Sequence, residues 1–275
     1  MRIKLISLSS FTLFLIIGCT LWLTQGSIFF LFNFMYIGGF VSLGIYLMGN
    51  KKRYGRNVAE LGVGLYMFLL LGIFAGENMQ IEGFFYYLFL GVFQAAVIHY
   101  AVAKIFGPLL FGRGWCGYAC WTAAVLDFLP YKVPASNRVR KYEIIRYMVF
   151  IIAITFVGAL FVFKIQNKES IMYWSFIIGN IIYYALGIIL AYRFKDNRAF
   201  CKYICPITVF LKPASYFSLT RIKVNEEKCI NCNKCRKVCP MNVDMLNNKR
   251  SRENGTECIL CLECVNHCPT GALKL

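Results

Sequence analysis

The chain has 275 residues, 59% of them hydrophobic and only 16% charged, with a formal net charge of +17. That balance excludes an ordinary soluble protein, in which about a quarter of the residues are charged. The excess Lys and Arg falls mostly in loops between apolar runs, where anionic lipid headgroups are the nearest partner, so it does not signal nucleic-acid binding.

At the N-terminus, Met1-Arg2-Ile3-Lys4 precedes an apolar stretch and resembles a signal peptide, and Ile16-Ile17-Gly18-Cys19 resembles a lipoprotein cleavage box. Leu21-Trp22-Leu23 carries the apolar run past Cys19, so the segment reads as an uncleaved signal anchor and Cys19 as a small membrane-buried residue. Apolar runs of suitable length predict six membrane helices, at residues 6–24, 28–48, 58–75, 84–106, 144–163 and 171–192. Backbone amides in lipid must pair within their own segment, which makes such runs helical. His99 in the fourth span and Glu60 near the cytoplasmic end of the third are candidate proton or quinone contacts. Asn33 and Asn180 read as interhelical hydrogen-bonding residues. With only His99 and His267 in the chain, no facing pair of membrane histidines is available for haem.

The loop Lys51-Lys52-Arg53, the stretch 138–146 and everything after Arg193 are strongly basic, whereas the alternate loops hold Glu77, Glu82 and Glu169. The positive-inside rule therefore predicts a multi-pass protein of the cell membrane with both termini in the cytoplasm. Cysteines that must stay reduced belong in that compartment too.

Two short motifs repeat. Arg113-Gly-Trp115-Cys116-Gly-Tyr118-Ala-Cys120-Trp121 follows the fourth span, and Arg198-Ala-Phe200-Cys201-Lys-Tyr203-Ile-Cys205-Pro206 follows the sixth. Both read Arg-x-aromatic-Cys-x-Tyr-x-Cys, so spans three–four and five–six are expected to be related hairpins that bring the cysteine pairs face to face. Within each pair the thiols are expected on one face of a helical turn. Cys116, Cys120, Cys201 and Cys205 are thus a candidate four-cysteine metal centre, iron or iron–sulfur, with Arg113 and Arg198 offsetting negative charge. A pair of redox-active dithiols and a packed interface of reduced cysteines are the alternatives.

The last fifty or so residues carry two further runs, Cys229-x2-Cys232-x2-Cys235-x3-Cys239-Pro240 and Cys258-x2-Cys261-x2-Cys264-x3-Cys268-Pro269. Zinc binds paired Cys-x2-Cys groups but has no use for a third and fourth cysteine followed by Pro in each half. The pattern resembles the ligand run of bacterial two-cluster ferredoxins. That resemblance assigns Cys229, Cys232, Cys235 and Cys268 to one [4Fe–4S] cluster, and Cys258, Cys261, Cys264 and Cys239 to the other. Ser218-Leu-Thr-Arg-Ile-Lys-Val224 alternates like a strand and is expected to open this domain. Lys228, Lys234, Arg236, Lys237, Lys249, Arg250 and Arg252 give it a basic face able to steer an acidic redox partner.

Taken together, the two constellations resemble the NapH/NosR-type membrane polyferredoxins, over residues 58–275. Cys201-Lys-Tyr-Ile-Cys205-Pro206 matches the family motif fully, while Trp121 stands where the family has Pro. The resemblance implies an all-α polytopic membrane domain, residues 1–216, and a small α+β two-cluster ferredoxin domain, residues 217–275. It further implies an iron–sulfur electron-transfer protein working between the membrane, with quinol as a candidate donor, and a cytoplasmic carrier or reductase component. The related CcoG type implies a second class, a maturation factor that reduces a metal or thiol for another enzyme's assembly.

Overall fold

In the computed structural model, which describes residues 2–50, 52, 54–93 and 95–275, five helices are long and apolar enough to cross a membrane. Lys51 and Arg53, two of the basic residues of the first predicted cytoplasmic loop, lie outside the described residues. Helix α1 (Arg2–Gln25) runs unbroken through Cys19 and pairs with α2 (Phe29–Gly49). Small residues set their approach. A Cβ at Gly38 would lie 2.5 Å from Phe14, and one at Gly44 would meet Ala59 of α3 at 2.6 Å. Helix α3 (Gly55–Leu65) continues as a π-helical stretch, Tyr66–Phe74.

The predicted fourth span, 84–106, is not one helix. The chain makes α4 (Ile81–Leu90), turns at Gly91 and descends again from Ala95. Gly91 has φ 71°, a left-handed conformation that costs glycine nothing, and it closes α4. Before α4, the Asn78 amide donates to Met172 O and Ser175 Oγ, and Gln80 abuts Gly179, so the chain has already entered the bundle. Phe85 then packs on Phe150 and Phe89 on Phe161, which lies nearer the C-terminal end of the same helix, Ile144–Val162. Helix α4 therefore runs back towards the end it came from, as a re-entrant segment. The returning limb stacks Tyr100 on Phe84 at 4.9 Å. It comprises α5 (Ala95–Tyr100), a π-helical stretch Ala101–Phe106 and α6 (Gly107–Phe111). Hydropathy alone merges the two limbs because both are apolar.

After α6 come α7 (Trp115–Tyr118) and α8 (Trp121–Leu126), then the long pair α9 (Ile144–Val162) and α10 (Lys168–Phe194). Helices α11 (Ala199–Tyr203) and α12 (Thr208–Tyr216) follow. The C-terminal part is a small α+β unit. Strands β1 (Lys223–Val224) and β2 (Leu273–Lys274) pair antiparallel, with Lys223 opposite Lys274 and Val224 opposite Leu273. Helices α13 (Lys234–Lys237) and α14 (Glu263–Asn266) each begin inside one cysteine run.

The expected strand over 218–224 forms only at its last two residues. Its beginning pairs instead with the end of α6, through Leu219 N–H to Leu109 O and Thr220 N–H to Leu110 O, at 2.9 and 2.7 Å. One hydrophobic core runs across this junction, taking in Cys116 and Leu211 together with Ile222, Met241, Ile259 and Leu273.

Candidate metal centres

The two C-terminal runs have one backbone design. Asn231 and Leu260 occupy equivalent positions in left-handed conformation, as do Asn233 and Leu262. For Leu such a conformation costs about 1–2 kcal/mol, so something must hold it; here it curls the chain around the space the thiols enclose. The helical turn that follows carries the third cysteine of each run, buried Cys235 and buried Cys264. Pro240 and Pro269 then lead the chain away.

The thiols gather crosswise. Cys229, Cys232, Cys235 and Cys268 line one small cavity, and Cys239, Cys258, Cys261 and Cys264 line another. Backbone amides point at sulfur, with Val243 N–H donating to Cys239 Sγ at 3.3 Å. Burial pushes Cys258 up to about 11 and Cys261 up to about 12, and it raises Cys264 as well. Thiols this reluctant to ionise become thiolates when a metal displaces their protons. Apolar walls, amide donors to sulfur and two closed quartets of cysteine fit iron–sulfur cubes.

At the membrane face, Cys116 lies within α7 and Cys201 within α11, but their partners do not share those helical turns. Cys120 is extended, with ψ 115°, and caps α8, and Cys205 follows the end of α11. The expectation of one helical face per pair is therefore corrected: only the first cysteine of each pair lies in a helical turn, and the second follows after that turn has ended. Trp121 occupies the first position of α8, where Pro is also well accommodated, so the departure from the repeat leaves the turn intact. Its indole donates to Asn180 Oδ1 at 2.8 Å, making Asn180 an interhelical residue as expected. Asn33, by contrast, leaves its Oδ1 without a partner among the described residues.

The four membrane-face thiols lie close enough for charge on one to disfavour charge on another. Burial pushes Cys120 up to about 12, with Cys116 and Cys205 adding to it, and raises Cys201 and Cys205. Burial also acts against Cys116, yet the nearby cations Arg113, Lys104 and Arg198 outweigh it and hold that thiol below the usual range. Among the described residues no three Cys, His, Asp or Glu side chains stand close enough to hold a single metal ion.

The two repeat arginines have diverged. Arg113 lies 4.0 Å from Cys116 Sγ and pairs with Glu257. Arg198 is claimed by Asp127 and by Glu60 (3.2 Å), and donates to Cys116 O at 2.9 Å. Glu60, singled out as a proton or quinone contact, is fully buried in ion pairs with Arg56 and Arg198. Two residues escaped the sequence reading. Glu257, just before Cys258, is 1% exposed and meets Arg113, Arg138 and Arg146. Lys104 is buried in the returning limb with its Nζ 5.3 Å from the Trp115 ring centre. A cation inside an apolar span is itself a functional signal, and it could have been found.

Comparisons with known proteins agree with this layout. Residues 221–269 match the family described as a 4Fe-4S dicluster domain. Residues 95–136 and again 180–225 match the family described as a 4Fe-4S binding domain, each stretch containing one Cys-x3-Cys pair. An uncharacterised protein of Methanocaldococcus jannaschii is 25% identical over 62% of this chain and 69% of its own length. YccM, a proposed electron transport protein of Escherichia coli, is 23% identical over 54% of this chain and 47% of its own. The methylamine utilization ferredoxin-type protein MauN of Paracoccus denitrificans is 24% identical over 53% and 54%. No solved structure matches at a significant level. These matches are consistent with a membrane polyferredoxin-type family and support an iron–sulfur electron-transfer role.

Proposed function

We propose that the protein carries electrons between a donor in the membrane and a redox partner docking on its C-terminal domain. Cys229, Cys232, Cys235 and Cys268 would hold one [4Fe–4S] cluster, and Cys239, Cys258, Cys261 and Cys264 the second. Cys116, Cys120, Cys201 and Cys205 would hold a third centre. Bound there, such clusters supply one-electron carriage. The chain's own residues exclude water, donate amides to sulfur and balance charge.

The observation that carries this reading is the contact of the first membrane-face pair with the second C-terminal run. A Cβ at Gly117 would meet Ile259 O at 2.5 Å, and Tyr118 Oη donates to Leu260 O at 3.2 Å. The first C-terminal run lies on the outer surface, where Cys232 and Ile230 are exposed. Exposed Lys228, Lys234 and Lys237 surround it and favour an acidic partner.

The same reading divides the chain at residues 216 and 217 and takes 95–111 as the fourth of six crossings. Both termini then lie on the cytoplasmic side. Anaerobic purification with iron and sulfide analysis and EPR tests the proposal. About twelve irons per chain, in three separable signals, are expected; zinc in place of iron would overturn it.

A further inference from the structure

Two ion clusters of the interior balance. Arg56 and Arg198 face Glu60 and Asp127, and Lys202 faces Asp196. The cluster at the seam between the two domains does not. Arg113, Arg138, Arg146 and Lys212 gather on Glu257 and Glu143, four cations against two carboxylates, a surplus of two. The three arginine side chains are at most 2% exposed, and Lys212, at the edge, is 29% exposed. The shortage of acceptors shows in the hydrogen bonding. Arg113 Nε, Arg138 Nη1 and Arg146 Nε are buried without a partner among the described residues. Lys104 adds to the surplus, since it is 3% exposed and forms no ion pair with any described residue.

An uncompensated charge is costly to bury, so a surplus of this size calls for an anion nearby. The thiols supply the place for one. Arg113 Nη2 is 4.0 Å from Cys116 Sγ. Arg113 and Lys104 lie within electrostatic reach of Cys116 and Cys205, and Arg146 within reach of Cys205. Four free thiols or two disulfides carry no charge and would leave the surplus standing. A small anion from solvent lacks room beside the arginines. The neighbouring cleft, about 380 Å³, is lined by Glu143, Glu253 and Glu257 and by none of the three guanidiniums. Four thiolates on iron remain negative overall, and one electron added to such a centre makes it more negative by one charge.

We propose that Arg113, Arg138, Arg146, Lys212 and Lys104 are the counter-charge of a centre held by Cys116, Cys120, Cys201 and Cys205, and that Glu257, from the C-terminal domain, sets how much of that charge acts on it. This rests on the third centre proposed above and adds a control to it. Each cation removed favours the oxidised centre, and each carboxylate removed favours the reduced one. Glu257 directly precedes Cys258. A partner that shifts the C-terminal domain would therefore withdraw a carboxylate from the arginines and make the membrane-face centre easier to reduce.

The test is a redox titration of the full-length protein in nanodiscs at one pH, with dithionite as reductant and EPR as readout. Arg146→Gln and Lys212→Met should each lower the midpoint potential of the third signal. Glu257→Gln and Glu143→Gln should each raise it. At a fixed applied potential the ratio of reduced to oxidised centre should change at least ten-fold in each, about 59 mV for one electron. The signal of the Cys229 quartet, on the outer surface, should not move. Arg140→Gln, whose pair with Glu253 is largely exposed, should leave every signal in place. A packing defect would not give opposite signs for cations and acids, and two variants of each kind let one fail to fold. Shifts of one sign throughout, or no shift, would overturn the inference while leaving the third centre standing. Absence of a third signal from the unaltered protein would overturn the three-centre reading and this inference together.

Discussion

Glu257 and Arg113 form an ion pair across the seam between the C-terminal domain and the membrane domain, each side chain only 1% exposed. The other oxygen of Glu257 meets Arg138 at 2.9 Å and Arg146 at 3.0 Å. Cys258 follows Glu257 in the chain, and Arg113 lies three residues before Cys116. The clamp thus fixes a ligand candidate of one domain relative to a ligand candidate of the other. Such a clamp would hold the distance between the two candidate centres constant.

Removing one member of a buried ion cluster leaves the others charged and unpaired, at a cost of about 3–5 kcal/mol. Glu257→Gln should therefore loosen the seam, lowering the melting temperature and exposing the segment around 249–256 to protease. Arg140→Gln, whose pair with Glu253 is largely exposed, should change neither. Equal behaviour of the two variants would refute the clamp.

The re-entrant segment gives a topological test. If α4 returns to the end it came from, the turn 91–93 lies on the same side of the membrane as the loop 163–167. A short epitope inserted at Val92 should react with antibody from the same side as one inserted at Gln166. A continuous helix over 84–106 would bury Val92 in lipid and make that insertion inaccessible or disruptive.

Much of this was legible in the sequence because the informative patterns are local. The runs beginning at Cys229 and Cys258 declare their chemistry by spacing alone, and apolar length declares the membrane helices. The repeat around Cys116 and Cys201 was visible because its residue types recur in order. What stayed hidden depends on long-range pairing. Glu60 looks like an intramembrane acid until Arg198, 138 residues later, is seen beside it. Leu219 and Thr220 look like strand residues because alternation cannot show that their amides pair with α6. Gly91 looks like any membrane glycine, since no local signal separates a turn from close packing.

Trp121 offers a contained check on the repeat. Trp121→Phe removes the indole bond to Asn180 and keeps the ring, so stability should fall by about 1–3 kcal/mol for the buried acceptor left unpaired. Iron content should not change, because the backbone at the start of α8 still aims Cys120. Loss of iron in this variant would mean that the indole itself positions the thiol.

Crosswise ligation predicts an asymmetry that no simple domain split would give. Cys239 belongs to the first run by sequence, yet it lines the cavity of Cys258, Cys261 and Cys264. Cys239→Ser should therefore damage the second-run cluster and spare the first. Cys268→Ser should do the reverse, because Cys268 lines the cavity of Cys229, Cys232 and Cys235. EPR spectra of the two variants, each lacking a different signal, would support the assignment; loss of the same signal in both would end it.

The membrane-face centre is tested by removing one cysteine from each half of the repeat. Cys116 and Cys201 sit in equivalent short helices, and both are buried. If the four thiols share one centre, Cys116→Ala with Cys201→Ala should remove about four irons and one EPR signal while both C-terminal signals persist. Each single variant should have nearly the same effect as the double one, because a cluster that loses a ligand is already compromised. If the pairs instead act as independent dithiols, the two single variants would add, and iron content would not move. Lys104→Met supplies a control on electrostatics. It keeps the length of the side chain over Trp115 but removes a cation from beside the thiols, which favours the less negative form of any centre they hold. The midpoint potential of the third signal should fall in Lys104→Met, with iron content constant. An unchanged potential would place Lys104 outside the centre's electrostatic reach.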